Sequence, residues 1–189
     1  LTCISNEVGG DYIGNAEWSG IQFKTLLDKA GVKAGVKKVV FTSADGYKDS
    51  ITIEKAMEPN TTLAVEMNGA PLTTDHGYPA RMLIPNIYGM KNAKWLTGIT
   101  LIDTDFAGFW QQQGWDNTAT IHTESSIVSP ADGDTVPGGQ TTTLKGIAFA
   151  GSRNIEKVEV STDSGMTWNT ATIKPRIGAN SWTLWRYDW

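Results

Sequence analysis

Apolar residues recur at Phe23, Leu26, Leu27 and Ala30, the spacing of one helical face, with Ser19 placed as an N-cap and Gly31 placed to end the helix. A short amphipathic helix is predicted there. Lys38 to Ser43 is β-branched and apolar enough for a strand, Asp45-Gly46 turns it, and Ser50 to Ile53 is its expected return. Glu54 to Met57 reads as one helical turn ended by Pro59. Thr62 to Met67 alternates as a strand into Asn68-Gly69, a strong hairpin signal, while Arg81 to Ile84 and Trp95 to Ile102 read as two further strands. Short helices and strands in no regular βαβ order predict an α+β first half.

Near Asp116 the texture changes, and from about Ser125 onward helical periodicity is absent. Strands at Leu144 to Ala150, Lys157 to Thr162, Thr167 to Ile173 and Trp182 to Tyr187 are separated by Pro- and Gly-rich turns, with Val158 and Val160 on one face and Glu159 on the other. This spacing predicts a β-sandwich of the immunoglobulin type, with a boundary at 120–126 and domains at 1–122 and 123–189.

The chain has 189 residues, enough for one large domain or two small ones with real cores, and its 40% hydrophobic and 19% charged content is that of a globular protein. No stretch approaches the roughly 20 apolar residues of a membrane span. A net charge of −4 without a basic cluster argues against nucleic acid as a partner. One Cys excludes an internal disulfide, and with two His the usual Cys/His zinc site cannot be assembled. Eight Trp is a high count; their apolar surroundings predict packed sheet faces, which sets aside a carbohydrate-binding sandwich. The chain starts on Leu1-Thr2-Cys3 without Met and ends on Trp-Arg-Tyr-Asp-Trp, so a fragment of a longer polypeptide is expected.

The candidate chemistry centres on His76 to Leu96. Gly77, Pro79, Pro85 and Gly89 restrict this loop, and His76, Arg81 and Lys94 together present about six to eight N–H donors, a set suited to a phosphate or another oxyanion. Scattered surface charge is the competing reading. Cys3 is the second candidate: a lone thiol is usually a small buried hydrophobe, but the glycines that follow would let a bulky ligand approach, and a thiolate is a soft ligand for a redox metal.

Cys3-Ile-Ser-Asn with Gly14-Asn-Ala-Glu-Trp, the run Glu66-Met-Asn-Gly-Ala-Pro-Leu, and His76-Gly-Tyr-Pro-Ala-Arg through Lys94-Trp-Leu resemble the sulfite oxidase family of molybdopterin-binding oxidoreductases. Gly151-Ser-Arg-Asn-Ile-Glu-Lys-Val-Glu-Val-Ser-Thr-Asp-Ser-Gly-Met-Thr-Trp resembles that family's immunoglobulin-like dimerisation domain. The resemblance covers nearly the whole chain. It implies a mixed α+β molybdopterin domain lacking its N-terminal part, followed by a truncated dimerisation domain, a molybdenum–molybdopterin cofactor, and two-electron oxygen-atom transfer on a small molecule or oxyanion. It further implies a homodimer, a cytochrome electron partner and an extracytoplasmic location.

By the same resemblance Cys3 stands as the thiolate ligand to molybdenum. His76, Arg81, Asn92, Ala93 and Lys94 stand where the family binds the pterin and its phosphate, and Asp45 matches a pterin-contacting acid. Arg153 matches an arginine that in relatives leans toward the substrate pocket, a plain turn residue being the other reading. Two departures argue against sulfite. Asn6-Glu7-Val8 replaces the arginine that follows the cysteine in relatives, and an acid there repels a dianion. Trp115, in Trp110-Gln-Gln-Gln-Gly-Trp115, replaces a tyrosine near the metal, and an indole has no phenolic proton to lose. The competing class is a non-catalytic assembly module built around the immunoglobulin-like domain.

Overall fold

The computed structural model describes residues 1–189. Its elements in chain order are β1 (Trp18–Gln22), α1 (Phe23–Ala30), β2 (Lys38–Ser43), β3 (Lys48–Thr52), α2 (Ile53–Ala56), β4 (Thr62–Met67), β5 (Ala70–Pro71), β6 (Arg81–Leu83), β7 (Leu96–Ile102) and α3 (Phe109–Gln112). There follow β8 (Glu124–Ser129), β9 (Thr143–Phe149), β10 (Glu159–Val160), β11 (Asn169–Thr170), β12 (Thr172–Ile173) and β13 (Thr183–Asp188). The chain is mostly sheet with few helices. Two units emerge: residues 1–4 with 16–120, and residues 5–15 with 121–189.

In the first unit β2 is the central strand of an antiparallel sheet ordered β3-β2-β7. Val39, Val40 and Phe41 are buried in succession, as expected of a strand covered on both faces. Helix α1 buries Phe23 and Leu27, one turn apart, and the Phe23 ring meets Phe41 edge-on at 5.9 Å between centroids. Burial of each is worth about 1.5–3 kcal/mol. Gly31 closes the helix in the left-handed conformation, as the sequence predicts. Ser19 does not cap it. It lies in β1, paired with Glu66, and Gln22 occupies the cap position without a side-chain bond, because pairing with β4 claims the segment that local propensity assigned to a helix start.

Strand β4 is the hub of the second sheet, with β1, β5 and β6 all antiparallel to it. Asn68 and Gly69, both with positive φ, make the tight hairpin from β4 to β5. The registers set Gly20 and Arg81 opposite Ala64 from its two sides.

In the second unit β12, β13, β9 and β8 form an antiparallel sheet, and β10 pairs with β11 separately. Val158 and Val160 point inward to Leu144, Ala148, Ala171 and Trp185, and Glu159 faces out. Of the eight Trp residues only Trp185 is buried. The expectation that burial accounts for the Trp content is therefore corrected. Trp168, for one, lies on the surface and donates its indole N–H to the Gly165 carbonyl of its own turn.

Candidate functional site

The loop from Thr73 to Leu96 is held by crossing backbone bonds. Trp95 N–H donates to the Gly77 carbonyl, Leu96 N–H to the Ala80 carbonyl and Met82 N–H to the Ala93 carbonyl, and the Trp95 indole donates to the Thr74 carbonyl at 2.6 Å. These bonds fold the His76–Arg81 and Asn92–Trp95 segments onto each other. Gly77 sits in the fold, and a Cβ there would lie 3.0 Å from Lys94 Cβ and 3.1 Å from Arg81 Cβ.

Arg81 is the buried member, 7% exposed. Its Nη1 donates to the His76 carbonyl at 3.1 Å and Nη2 to the Asn92 carbonyl at 3.4 Å, and the guanidinium lies 5.0 Å from the centroid of the Trp18 ring. Its Nε has no partner, and no carboxylate pairs with the charge. Burial alone pushes its pKa down, to about 10. A guanidinium in this state is short of one acceptor and one negative charge.

Lys94 places Nζ 4.2 Å from the Trp95 ring centroid and 2.9 Å from the Asp75 carbonyl. His76 is exposed, its Nδ1 2.8 Å from the Thr73 hydroxyl. Asp45 lies in the exposed turn between β2 and β3, accepting from Tyr47 N–H. That turn joins the loop, because Ala44 N–H donates to the Trp95 carbonyl at 2.9 Å. Asp45, His76, Arg81 and Lys94 are thus carried by one bonded framework.

Asn92 has a different part from the one expected of a direct ligand. Its side chain is buried and spent on backbone: Oδ1 accepts from Ile84 N–H at 2.6 Å, and Nδ2 donates to the carbonyls of Ile87 and Tyr88. Ala93, also buried, belongs to the core cluster. Cys3 is half-buried, and its neighbour Thr2 offers a carbonyl to Gly89 N–H at 2.8 Å. Gly89 opens the 3-10 turn Gly89–Lys91, which leads directly to Asn92, the acceptor of Arg81. The Thr2 hydroxyl, fully buried, has no partner.

Trp115 is 38% exposed and packs edge-on against Trp110 at 6.2 Å, on the segment that follows α3. Arg153 belongs to the second unit, where Nε donates to the Ala150 carbonyl and Nη2 to the Ile121 carbonyl. That unit also contains a cavity of about 240 Å3 lined by Asn6, Glu7, Ile13, Glu124, Ile147 and Phe149, among others. None of the expected cofactor residues lines it.

Three residues of the region escaped sequence reasoning. Trp18 ends the run Gly14-Asn-Ala-Glu-Trp, but nothing in spacing pairs it with Arg81. Lys91 and Asp49 form a fully buried ion pair at 2.8 Å, and a lysine in a Gly-Met-Lys turn carries no mark of burial.

The unsatisfied donors suit a polyanionic, hydrogen-bond-rich group. The Arg81 Nε and the Thr2 hydroxyl are both buried and unpartnered, and a phosphorylated pterin offers both the negative charge and the acceptors. The donor set fits such a cofactor.

Comparison with known proteins agrees. Residues 1–110 match the family described as oxidoreductase molybdopterin binding domain, and residues 116–187 match the Mo-co oxidoreductase dimerisation domain. Mitochondrial sulfite oxidase of Homo sapiens is 33% identical over 207 residues, covering 92% of this chain and 38% of that protein. Sulfite oxidase of Arabidopsis thaliana is 33% identical over 195 residues, covering 85% of this chain and 49% of that one. This chain thus spans less than half the length of either relative. The crystal structure of the sulfane dehydrogenase SoxCD from Paracoccus pantotrophus superposes with a TM-score of 0.85 at 26% identity, over 99% of this chain and 55% of the other. The chain belongs to the sulfite oxidase family of molybdopterin-binding oxidoreductases.

Proposed function

We propose that this chain carries the cofactor-anchoring and dimerisation parts of a mononuclear molybdenum oxidoreductase that adds an oxygen atom from water to a small substrate and releases two protons and two electrons. The observation that carries the reading is Arg81, a buried cation with an unpartnered Nε and no anion beside it. When bound, the molybdenum–pterin group supplies the two-electron redox chemistry. The chain's own residues do the holding. Arg81 and Lys94 take the phosphate, His76 and Asp45 take polar edges of the pterin, and the backbone of Asn92 and Ala93 frames it while the Asn92 side chain keeps that backbone in place. Cys3 furnishes the thiolate ligand.

Sulfite itself suits the chain poorly. Glu7 and Trp115 stand where sulfite-oxidising relatives place an arginine and a tyrosine, so a less charged, sulfur-centred substrate fits better, in keeping with the similarity to a sulfane dehydrogenase. Arg153 is then the substrate-side cation of the second unit. That unit, taken as residues 123–189, is an immunoglobulin-type sandwich through which two copies associate, and a cytochrome accepts the electrons, in a compartment outside the cytoplasm. No helix is long and apolar enough to cross a membrane.

The test is metal content and turnover of protein expressed in a cofactor-making host. Stoichiometric molybdenum is expected, and Cys3→Ser abolishes turnover while leaving the folding transition nearly unchanged. Absence of molybdenum, or turnover retained by Cys3→Ser, overturns the reading.

A further inference from the structure

In the first unit lies an ion pair for which cofactor binding has no use. Lys91 is 2% exposed and Asp49 0%. The ammonium donates to Asp49 Oδ1 at 2.8 Å, to the Ser50 carbonyl at 2.9 Å and to Asn117 Oδ1 at 3.4 Å, so each of its three protons has an acceptor. The carboxylate also accepts from Ser50 N–H at 2.7 Å, and the Tyr47 hydroxyl stands 3.1 Å from Oδ2 and 2.8 Å from the Met90 carbonyl. Such a pair does little for net stability, since apolar residues of the same volume often serve as well. Its geometry suggests what it specifies instead.

Three tethers run from the pair and the adjacent Ser50 to one surface segment. The Ser50 hydroxyl donates to the Phe106 carbonyl at 3.1 Å. Gly108 lies against the Asp49 carboxylate so closely that a Cβ would come within 2.7 Å of Oδ1. Lys91 holds Asn117. Between these tethers Phe109, Trp110 and Trp115 are exposed, joined by edge-on ring contacts at 5.1 and 6.2 Å. At its other end Lys91 closes the Gly89–Lys91 turn, whose first N–H binds the carbonyl next to Cys3 and whose following residue receives Arg81. One ammonium group therefore joins the Trp115 segment to the turn between the thiolate and the guanidinium.

We propose that Asp49 and Lys91 are positioning residues for Trp115, fixing the Phe106–Asn117 segment against the cofactor-bearing turn. The proposal rests on the reading that Trp115 stands at the substrate side of the site. Without the pair, the indole keeps its ring-edge neighbours and the segment keeps the Ser50–Phe106 and Tyr88–Ala119 bonds, but it loses the Asn117 and Gly108 contacts that set its distance from that turn.

The test uses protein labelled with 5-fluorotryptophan, with the Trp115 fluorine resonance assigned by its loss in Trp115→Phe. Lys91→Met shifts and broadens that resonance and leaves those of Trp168 and Trp185 in place. In the molybdenum-loaded protein kcat falls about tenfold with KM changed by less than about twofold, and Lys91→Arg recovers most of the loss. If Lys91→Met fails to fold around the lone carboxylate, the neutral double variant Asp49→Asn/Lys91→Met decides, with the same shift and the same fall expected. An unmoved Trp115 resonance in the folded variant overturns the proposal, and so does a moved resonance with unchanged kcat. Wild-type protein without molybdenum would instead overturn the function proposed above, and the resonance would still judge the tether.

Discussion

The Arg81 guanidinium lies 5.0 Å from the centroid of the Trp18 ring, with two backbone carbonyls, and no carboxylate, as its hydrogen-bonding partners. Strand β4 creates the pairing. It holds β1 on one edge and β6 on the other, so Gly20 and Arg81 lie opposite Ala64 from its two sides, and Trp18, which pairs with Met67 on the same strand, comes within reach of the guanidinium. The ring face offers partial compensation for a buried cation, worth about 0.5–2 kcal/mol. The rest of the compensation is left for an anion.

Arg81→Met separates these roles. Without cofactor, losing an uncompensated buried charge offsets losing two carbonyl bonds, and the unfolding free energy changes by less than about 1 kcal/mol. Cofactor retention falls at least about tenfold, because a charge-assisted anion contact disappears. The alkaline sign follows from burial. The folded pKa of about 10 lies below that of a solvated guanidinium, so the folded state releases the proton first and cofactor-free wild type gains stability relative to Arg81→Met as pH rises above about 10. Denaturant melts of both proteins on either side of about pH 10 check this. A loss of several kcal/mol without cofactor would make Arg81 a structural cation instead.

Asn92→Ala addresses the support beneath the site. The amide satisfies Ile84 N–H and the carbonyls of Ile87 and Tyr88, and Ile84, Ile87 and Asn92 are themselves buried. Alanine leaves these groups without a side-chain partner, for an expected cost of about 2–4 kcal/mol. Asn92→Asp keeps the acceptor for Ile84 but loses both donations and adds a buried charge, and falls at least as far. Urea unfolding gives both values, and a cost near zero for alanine would show that the loop's backbone is held by other bonds.

Much of the framework was readable before any coordinates. The 3.6-residue spacing around Phe23 and Leu27, the apolar run at Val39–Phe41, and the alternation leading into Asn68-Gly69 each describe an element whose local preference and tertiary setting agree. Ser19 failed as a cap signal because pairing with Glu66 across β1 and β4 outweighs one capping bond. Among the site residues, His76, Arg81 and Lys94 were legible together because turn chemistry confines them to one loop. Asp45 joins that loop through the Ser43–Leu96 pairing of β2 with β7 and the Ala44–Trp95 backbone bond, across a stretch of chain that carries no matching signal. The ion pair of Asp49 and Lys91 was invisible for a related reason: charged residues are read as exposed unless three-dimensional partners are known, and Lys91 finds its partners in two distant segments, Asp49 and Ser50 in β3 and Asn117 beyond α3. The surface Trp residues misled in the opposite direction, since apolar neighbours in sequence do not guarantee burial.

Gly77 links the backbone of the loop to its chemistry. Its φ of +105° is strained for any residue with a side chain, and an alanine Cβ would meet Lys94 Cβ at 3.0 Å and Arg81 Cβ at 3.1 Å. Neither neighbour gives way easily, since both contacts lie close to the backbone rather than at a flexible tip. Gly77→Ala is therefore expected to lower stability by about 1–3 kcal/mol through strain. The displacement falls on the two cations proposed to hold the cofactor's phosphate, so molybdenum content should drop by a larger factor than stability alone explains. Adding Lys94→Ala separates the two effects: it removes Lys94 Cγ, which the added Cβ would also meet at 3.1 Å, while the two Cβ contacts remain, so a small part of the thermal stability returns, but it removes one of the phosphate's cations and molybdenum content stays low. Full metal content in a measurably destabilised Gly77→Ala protein would show that Lys94 and Arg81 hold no phosphate.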